Sequence, residues 1–103
     1  MQDIKVSVCT PVYGVEAFIE RCARSLFTQS YKNIEYIFVN DCTPDRSMEV
    51  LQQVLSDYPE RKDSVKVVNH KTNRGLAAAR QSAISQVSIM GLVIINAGSF
   101  ELR

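Results

Sequence analysis

Residues 34–47, IEYIFVNDCTPDRS, decide the fold. Tyr36, Ile37, Phe38 and Val39 form an unbroken run of β-branched and aromatic residues, the pattern of a strand buried on both faces. At Asn40 the character changes. Asn40 and Asp41 end the strand, Thr43 and Pro44 supply a turn and a first helical position, and Met48 opens a helical pattern. A carboxylate therefore stands at the carboxyl end of a buried strand. In open α/β sheets ligands bind along that edge, so Asp41 is the leading candidate for accepting hydrogen bonds from a ligand.

Upstream, Ile4, Val6 and Val8 alternate with Lys5 and Ser7, predicting a strand over residues 4–9. Thr10 to Gly14 reads as a loop, because Pro11 cannot donate to a ladder and Gly14 permits a sharp turn. Tyr13 then sits just past a strand end, where its ring either packs on a flat ligand or covers the sheet edge. From Glu16 to Gln29, Phe18, Cys22 and Leu26 recur every fourth residue beside Ile19 and Ala23, one face of a helix. Glu20 and Arg24 form an i,i+4 pair on its solvated side.

Downstream, Met48, Leu51, Val54, Leu55 and Tyr58 mark a second helix stopped by Pro59. The charged loop 60–64 carries no motif, residues 65–69 (VKVVN) are a third strand, and Leu76, Ala79, Ala83 and Ile84 mark a third helix. The intervening HKTNRG brings His70, Asn73 and Arg74 to the edge that holds Tyr13 and Asp41, and a helix amino terminus at Gly75 favours an anionic group there. Leu92 to Ile95 is a fourth strand. Such alternation implies an α/β fold, a Rossmann-like three-layer sandwich with a mostly parallel sheet and helices on both faces.

Composition narrows the function. The 103 residues, read as one domain over 1–103, are long enough for a core and short for a complete two-substrate enzyme. Twelve basic against eleven acidic residues give a net charge of +1 with no basic run, which does not suggest nucleic acid or an acidic membrane. No signal-like or membrane-length apolar run occurs, and the reading is cytoplasmic. Cys9, Cys22 and Cys42 are odd in number, fitting reduced thiols better than a disulfide scaffold. A zinc site from these three and His70 has enough ligands by count but no close Cys pair; buried, unliganded cysteines are the alternative. His70, alone in a polar loop, reads as solvated.

Three segments carry a resemblance. VSVCTPVYG (6–14), IEYIFVNDCTPDRS (34–47) and NRGLAAARQSAI (73–84) resemble, in order, the signatures of the family 2 glycosyltransferases of GT-A fold. The resemblance implies that Pro11, Val12 and Tyr13 lie against the nucleoside of a nucleotide sugar, usually a UDP-sugar. Asp41 would hydrogen-bond the base with Asn40 beside it, Glu16 would support the loop, and Asn73, Arg74 and Arg80 would stand near the diphosphate. The implied reaction is inverting transfer of a sugar to a saccharide or lipid-linked acceptor hydroxyl, assisted by Mg²⁺ or Mn²⁺, in polysaccharide biosynthesis. The parent protein could be membrane-peripheral.

The chain departs from that pattern after Ile84. SQVSIMGLVIINAGSF stands where the family carries its metal-binding acidic triplet; no aspartate follows Asp63, and Asn96, Gly98 and Ser99 are poor ligands for a hard cation. No metal ligand and no catalytic residue is assigned, and the reading is a truncated GT-A fold, the nucleotide-binding half of a transferase, with an exposed sheet edge open to self-association. Two other classes remain: a small α/β nucleotide- or flavin-binding signalling domain, which would use the same edge, and a non-catalytic interaction module.

Overall fold

The computed structural model describes residues 5–87 and the backbone of residues 91–94. In chain order it forms β1 (Val6–Val12), α1 (Ile19–Phe27), β2 (Ile34–Asn40), α2 (Ser47–Ser56), a 3-10 turn (Pro59–Ser64), β3 (Val65–Asn69), α3 (Leu76–Ile84) and β4 (Gly91–Ile94). The strands make one sheet in the order β3-β2-β1-β4, parallel throughout. Right-handed crossovers explain the layers. The chain steps one way from β1 to β3, placing α1 and α2 on one face, and returns to β4, placing α3 on the other. Direction reverses at β1, so the end of β1 lies at a topological switch point.

Each face has its own core. Val8, Val12, Tyr36 and Phe38 pack under Ile19, Cys22, Leu26, Phe27, Leu51 and Val54. Cys9, Ile37 and Val39 pack under Ala79 and Ala83, whose small side chains let α3 lie close to the sheet. β2 is buried along nearly its whole length, as its apolar run requires. Glu35, on the α3 face, is buried as well; it accepts the Ser7 hydroxyl and pairs with Lys66 at 3.3 Å.

Several expectations need correction. β1 does not stop at Cys9 but runs through Pro11 to Val12, in register with β2 up to Asn40. The Val12 carbonyl faces β2, where it accepts the Asp41 N–H, so by strand alternation the nitrogen of Pro11 faces the opposite side. The proline therefore takes no donor from the β1–β2 ladder, which continues past it to Val12. Phe18 stands just ahead of α1 and is partly exposed rather than part of its buried face. The charged loop 60–64 is the 3-10 turn, and Arg61 within it is buried. Its guanidinium donates to the carbonyls of Phe27 (3.1 Å), Gln29 (2.6 Å) and Tyr31 (3.3 Å), satisfying the carboxyl end of α1 and the entry to β2.

The cysteines divide. All three are free, Cys42 is exposed rather than buried, and Cys9 and Cys22 belong to cores on opposite faces of the sheet. That separation excludes the zinc grouping. Burial pushes the Cys22 thiol up to about 11, and burial together with Glu35 raises that of Cys9, so both are inert apolar side chains. No helix among the described residues is long and apolar enough to cross a membrane. Ile4, Ile95, Asn96, Gly98 and Ser99, which the sequence reading used, lie outside the described residues.

Candidate functional site

Two carboxylates four residues apart organise the carboxyl edge of the sheet, each holding a different neighbouring loop. Asp41 follows β2 directly, and its N–H bonds the Val12 carbonyl at 3.1 Å, fixing it beside the end of β1. Its side chain reaches the loop between β3 and α3. Oδ1 accepts from His70 Nδ1 (2.8 Å) and the Arg74 N–H (2.8 Å), and Oδ2 accepts from the Gly75 N–H (2.9 Å) and Asn73 Nδ2 (3.2 Å). Gly75 adopts φ 91°, a conformation that favours glycine, to aim its N–H while opening α3. Asp41 is 3% exposed. Burial works against its charge, but the bonds from His70, Arg74 and Gly75 outweigh it and hold the carboxyl below the ordinary range.

Asp45 does the same on the other side. Oδ1 accepts the Thr43 hydroxyl (2.7 Å), the Ser47 hydroxyl (2.6 Å) and the Ser47 N–H (3.1 Å), while Oδ2 accepts the Glu16 N–H (3.1 Å). Thr43 and Ser47 pass the link onward: Thr43 Oγ1 accepts the Gly14 N–H (2.8 Å) and Ser47 Oγ the Val15 N–H (3.2 Å). Glu16 returns the bond by accepting the Arg46 N–H at 3.1 Å. The loop that carries Tyr13 is thus stitched to the start of α2. Burial opposes the charge of Asp45, and the bonds from Ser47, Thr43 and Glu16 bring its pKa down to about 2.

Between these two systems lies an open pocket of about 300 Å³. Pro11, Tyr13, Asp41, Asn73, Gly75 and Leu76 line it, with Val15 and Ala79 beneath. Tyr13 is 50% exposed and Leu76 46%, so an aromatic ring and an aliphatic side chain stand open to solvent over a buried carboxylate. That combination offers apolar cover for a flat ring, a negatively charged acceptor at depth and a side-chain amide. A second cavity, about 380 Å³, lies at the amino ends of β1 and β2, lined by Val6, Val8, Leu26, Tyr31 and Ile34 among others; it is larger, but among the described residues no charged group lines it.

The sequence-predicted residues fare differently. Pro11, Tyr13, Asp41 and Asn73 converge on the pocket. Arg74 contributes its backbone N–H to Asp41 while its side chain is exposed. Arg80 is on the exposed side of α3 and does not line the pocket. The Val12 side chain is fully buried in the α1 face of the core, and its carbonyl accepts the Asp41 N–H, so it shapes the edge through its backbone. Asn40 braces the turn, donating to Asn69 Oδ1 and accepting the Thr43 N–H, both at 3.0 Å.

His70 is also corrected. Its side chain is 4% exposed and bonded at both nitrogens, far from the solvated residue expected of a polar loop. The roles of Asp45, Thr43 and Ser47 escaped the sequence reading. Their alternation, a hydroxyl, a carboxylate and a hydroxyl at every second position leading into the first residue of a helix, is the available signal.

Among the described residues no group of three His, Cys, Asp or Glu side chains is placed to hold a metal ion. The described carboxylates at this edge, Asp41 and Asp45, are already committed to hydrogen-bond donors of the chain, and they do not fit a divalent cation.

Known proteins share this frame. The family model described as Glycosyl transferase family 2 matches residues 7–96. EpsJ of Bacillus subtilis (strain 168), an uncharacterized glycosyltransferase, is 46% identical over 79 residues, which cover 77% of this chain and 22% of EpsJ. The mannosyltransferase PcManGT of Pyrobaculum calidifontis, solved with GDP-Man and Mn²⁺, matches with a TM-score of 0.85 at 21% identity, over 94% of this chain and 28% of that one. S. aureus TarS 1-349, solved with UDP, matches with a TM-score of 0.78 at 24% identity, over 91% of this chain and 27% of that one. The two structures are evidence of fold alone. The chain spans about a quarter of the length of these proteins.

Proposed function

The chain belongs to glycosyl transferase family 2 and has the GT-A fold, and from that premise we propose that its sheet edge binds the nucleoside diphosphate of a nucleotide sugar, a UDP-sugar first. The observation that carries the reading is the buried, ionised Asp41 beneath the exposed ring of Tyr13, at the carboxyl edge of a parallel sheet. Tyr13 and Pro11 give the base a face to pack on, and Asp41 accepts from a base N–H.

A carboxylate offers about four acceptor sites, and here all are filled from within the chain. A base N–H therefore replaces one internal donor. Asn73 makes the longest of the four bonds and yields first, its amide keeping a second bond to the Asp41 carbonyl at 3.3 Å. Arg74, exposed just ahead of α3, and Arg80, exposed midway along it, would supply positive charge near the diphosphate; Glu16 and Asn40 act by bracing the loops. In the whole protein this domain would present the sugar for inverting transfer to a saccharide or lipid-linked hydroxyl in the cytoplasm, with the acceptor attacking the anomeric carbon as the diphosphate leaves.

Calorimetric titration of the chain with UDP, GDP, ADP and FMN tests the reading. UDP is expected to bind at least about tenfold more tightly than FMN, a difference of about 1.4 kcal/mol. Preference for FMN would favour the flavin-binding alternative, and no binding of any of the four would favour an interaction module.

A further inference from the structure

The only histidine of the chain is the part of this edge that the nucleotide reading leaves without a role. We propose that His70 is a positioning residue for the nucleotide site: held with a proton on Nδ1 between Asp41 and Ser82, it sets the orientation of the Asp41 carboxylate and couples it to α3. The inference rests on the nucleotide reading of the pocket.

The backbone fixes His70 first. It follows β3 directly, and its N–H bonds the Asn40 carbonyl at 2.9 Å, continuing the β2–β3 ladder by one residue. From there the side chain turns into the protein, with Nδ1 2.8 Å from Asp41 Oδ1 and Nε2 2.7 Å from Ser82 Oγ. An ionised carboxylate only accepts, so Nδ1 carries the proton. In the neutral ring Nε2 is then the acceptor, and the Ser82 hydroxyl donates to it. That is the reverse of the tautomer a free histidine prefers in water, and the two partners impose it.

Ser82 lies on α3 seven residues past Gly75, two turns along the helix from the residue that opens it. The same helix meets Asp41 twice. Gly75 at its amino end donates to Oδ2, and Ser82 reaches Oδ1 through the imidazole. Ala79, between them, lines the pocket. A movement of α3 that accommodates a ligand is therefore felt at both oxygens of the carboxylate. Without His70, Oδ1 keeps only the Arg74 N–H, and the carboxylate can rotate toward water, out of line with a base lying under Tyr13.

Because there is one histidine, one set of imidazole signals reports the arrangement. The experiment is a long-range ¹H–¹⁵N spectrum of the histidine-labelled chain, with and without UDP, alongside UDP affinities of H70A, H70N and S82A. The wild-type ring should show a protonated Nδ1, and its resonances should move on saturation with UDP. H70A should bind UDP about tenfold more weakly and S82A about threefold, while H70N, whose amide can still donate to Asp41, should stay within about twofold of wild type. S82A puts a good helix former into α3 and keeps the measurement open if H70A does not fold.

A bare Nδ1 in the wild-type spectrum overturns the inference. So does UDP affinity that is unchanged in S82A, or in a folded H70A, and either result leaves the nucleotide reading standing. A wild-type chain that neither binds UDP nor shows an imidazole response to it overturns both.

Discussion

Thr10 lies on β1 with its side chain fully buried, and among the described residues its hydroxyl is the one buried side-chain polar atom without a hydrogen-bond partner. A buried hydroxyl left unpaired costs about 1–3 kcal/mol. Thr10→Val, which keeps the β-branch and the volume, should therefore stabilise the chain by about 1 kcal/mol in chemical denaturation. A loss of stability would mean that the hydroxyl has a partner. The sequence hid this because Thr10 reads as the start of a loop once Pro11 is taken to end the strand. The proline is tolerated within β1 because its nitrogen faces away from β2, so the β1–β2 ladder runs past it intact to Val12. That is a fact of three-dimensional neighbours, which local pattern does not carry. His70 reads as solvated for a related reason. Its segment is polar, and only the distant Asp41 and Ser82 make burial of an imidazole favourable.

At the scale of elements, Asp45 joins the loop after β1 to the start of α2, and its carboxylate gives that joint a pH window. Its folded pKa of about 2 lies below the unfolded value of about 3.9. A depressed carboxyl pKa contributes stability that is complete above the unfolded value and is lost as pH falls through the folded one. Asp45 is partly exposed, so the contribution is discounted to about 1–2 kcal/mol, lost between about pH 4 and pH 2. Asp45→Asn should lower stability at pH 7 by that amount and flatten the acid limb of the stability curve; an unchanged acid limb would assign it to other carboxylates. The existence of α2 was legible from Met48, Leu51 and Val54. Its first residue was not, because the turn 43–46 is stabilised by bonds to Gly14 and Glu16 from another loop.

At the scale of the molecule, the α/β class was readable because apolar runs and helical periods alternate cleanly, and right-handed crossovers then restrict the layers. The neighbours of each strand were not readable, since β1 pairs with β4 across more than eighty residues. The candidate site was half legible: Tyr13, Asp41 and Asn73 followed from strand ends, while the bonds that orient them had to be seen. The donor set also bears on metal dependence. No aspartate follows Asp63, Glu101 is the only later carboxylate side chain, and the described residues hold no metal-binding group. UDP affinity of this chain should therefore differ by no more than about twofold between Mn²⁺ and a chelator, after correction for the metal's own association with the diphosphate. Strong Mn²⁺ enhancement would show that metal ligands lie elsewhere in the chain.

The claim that the edge at Asp41 holds a nucleotide is tested most directly by following backbone amides of the ¹⁵N-labelled chain during a UDP titration. Saturable shifts should centre on Tyr13, Asp41, Asn73, Arg74 and Gly75, while Gln29, Tyr31 and Ile34 beside the larger apolar cavity stay in place. Shifts centred on that cavity, or none at saturating UDP, would contradict the account.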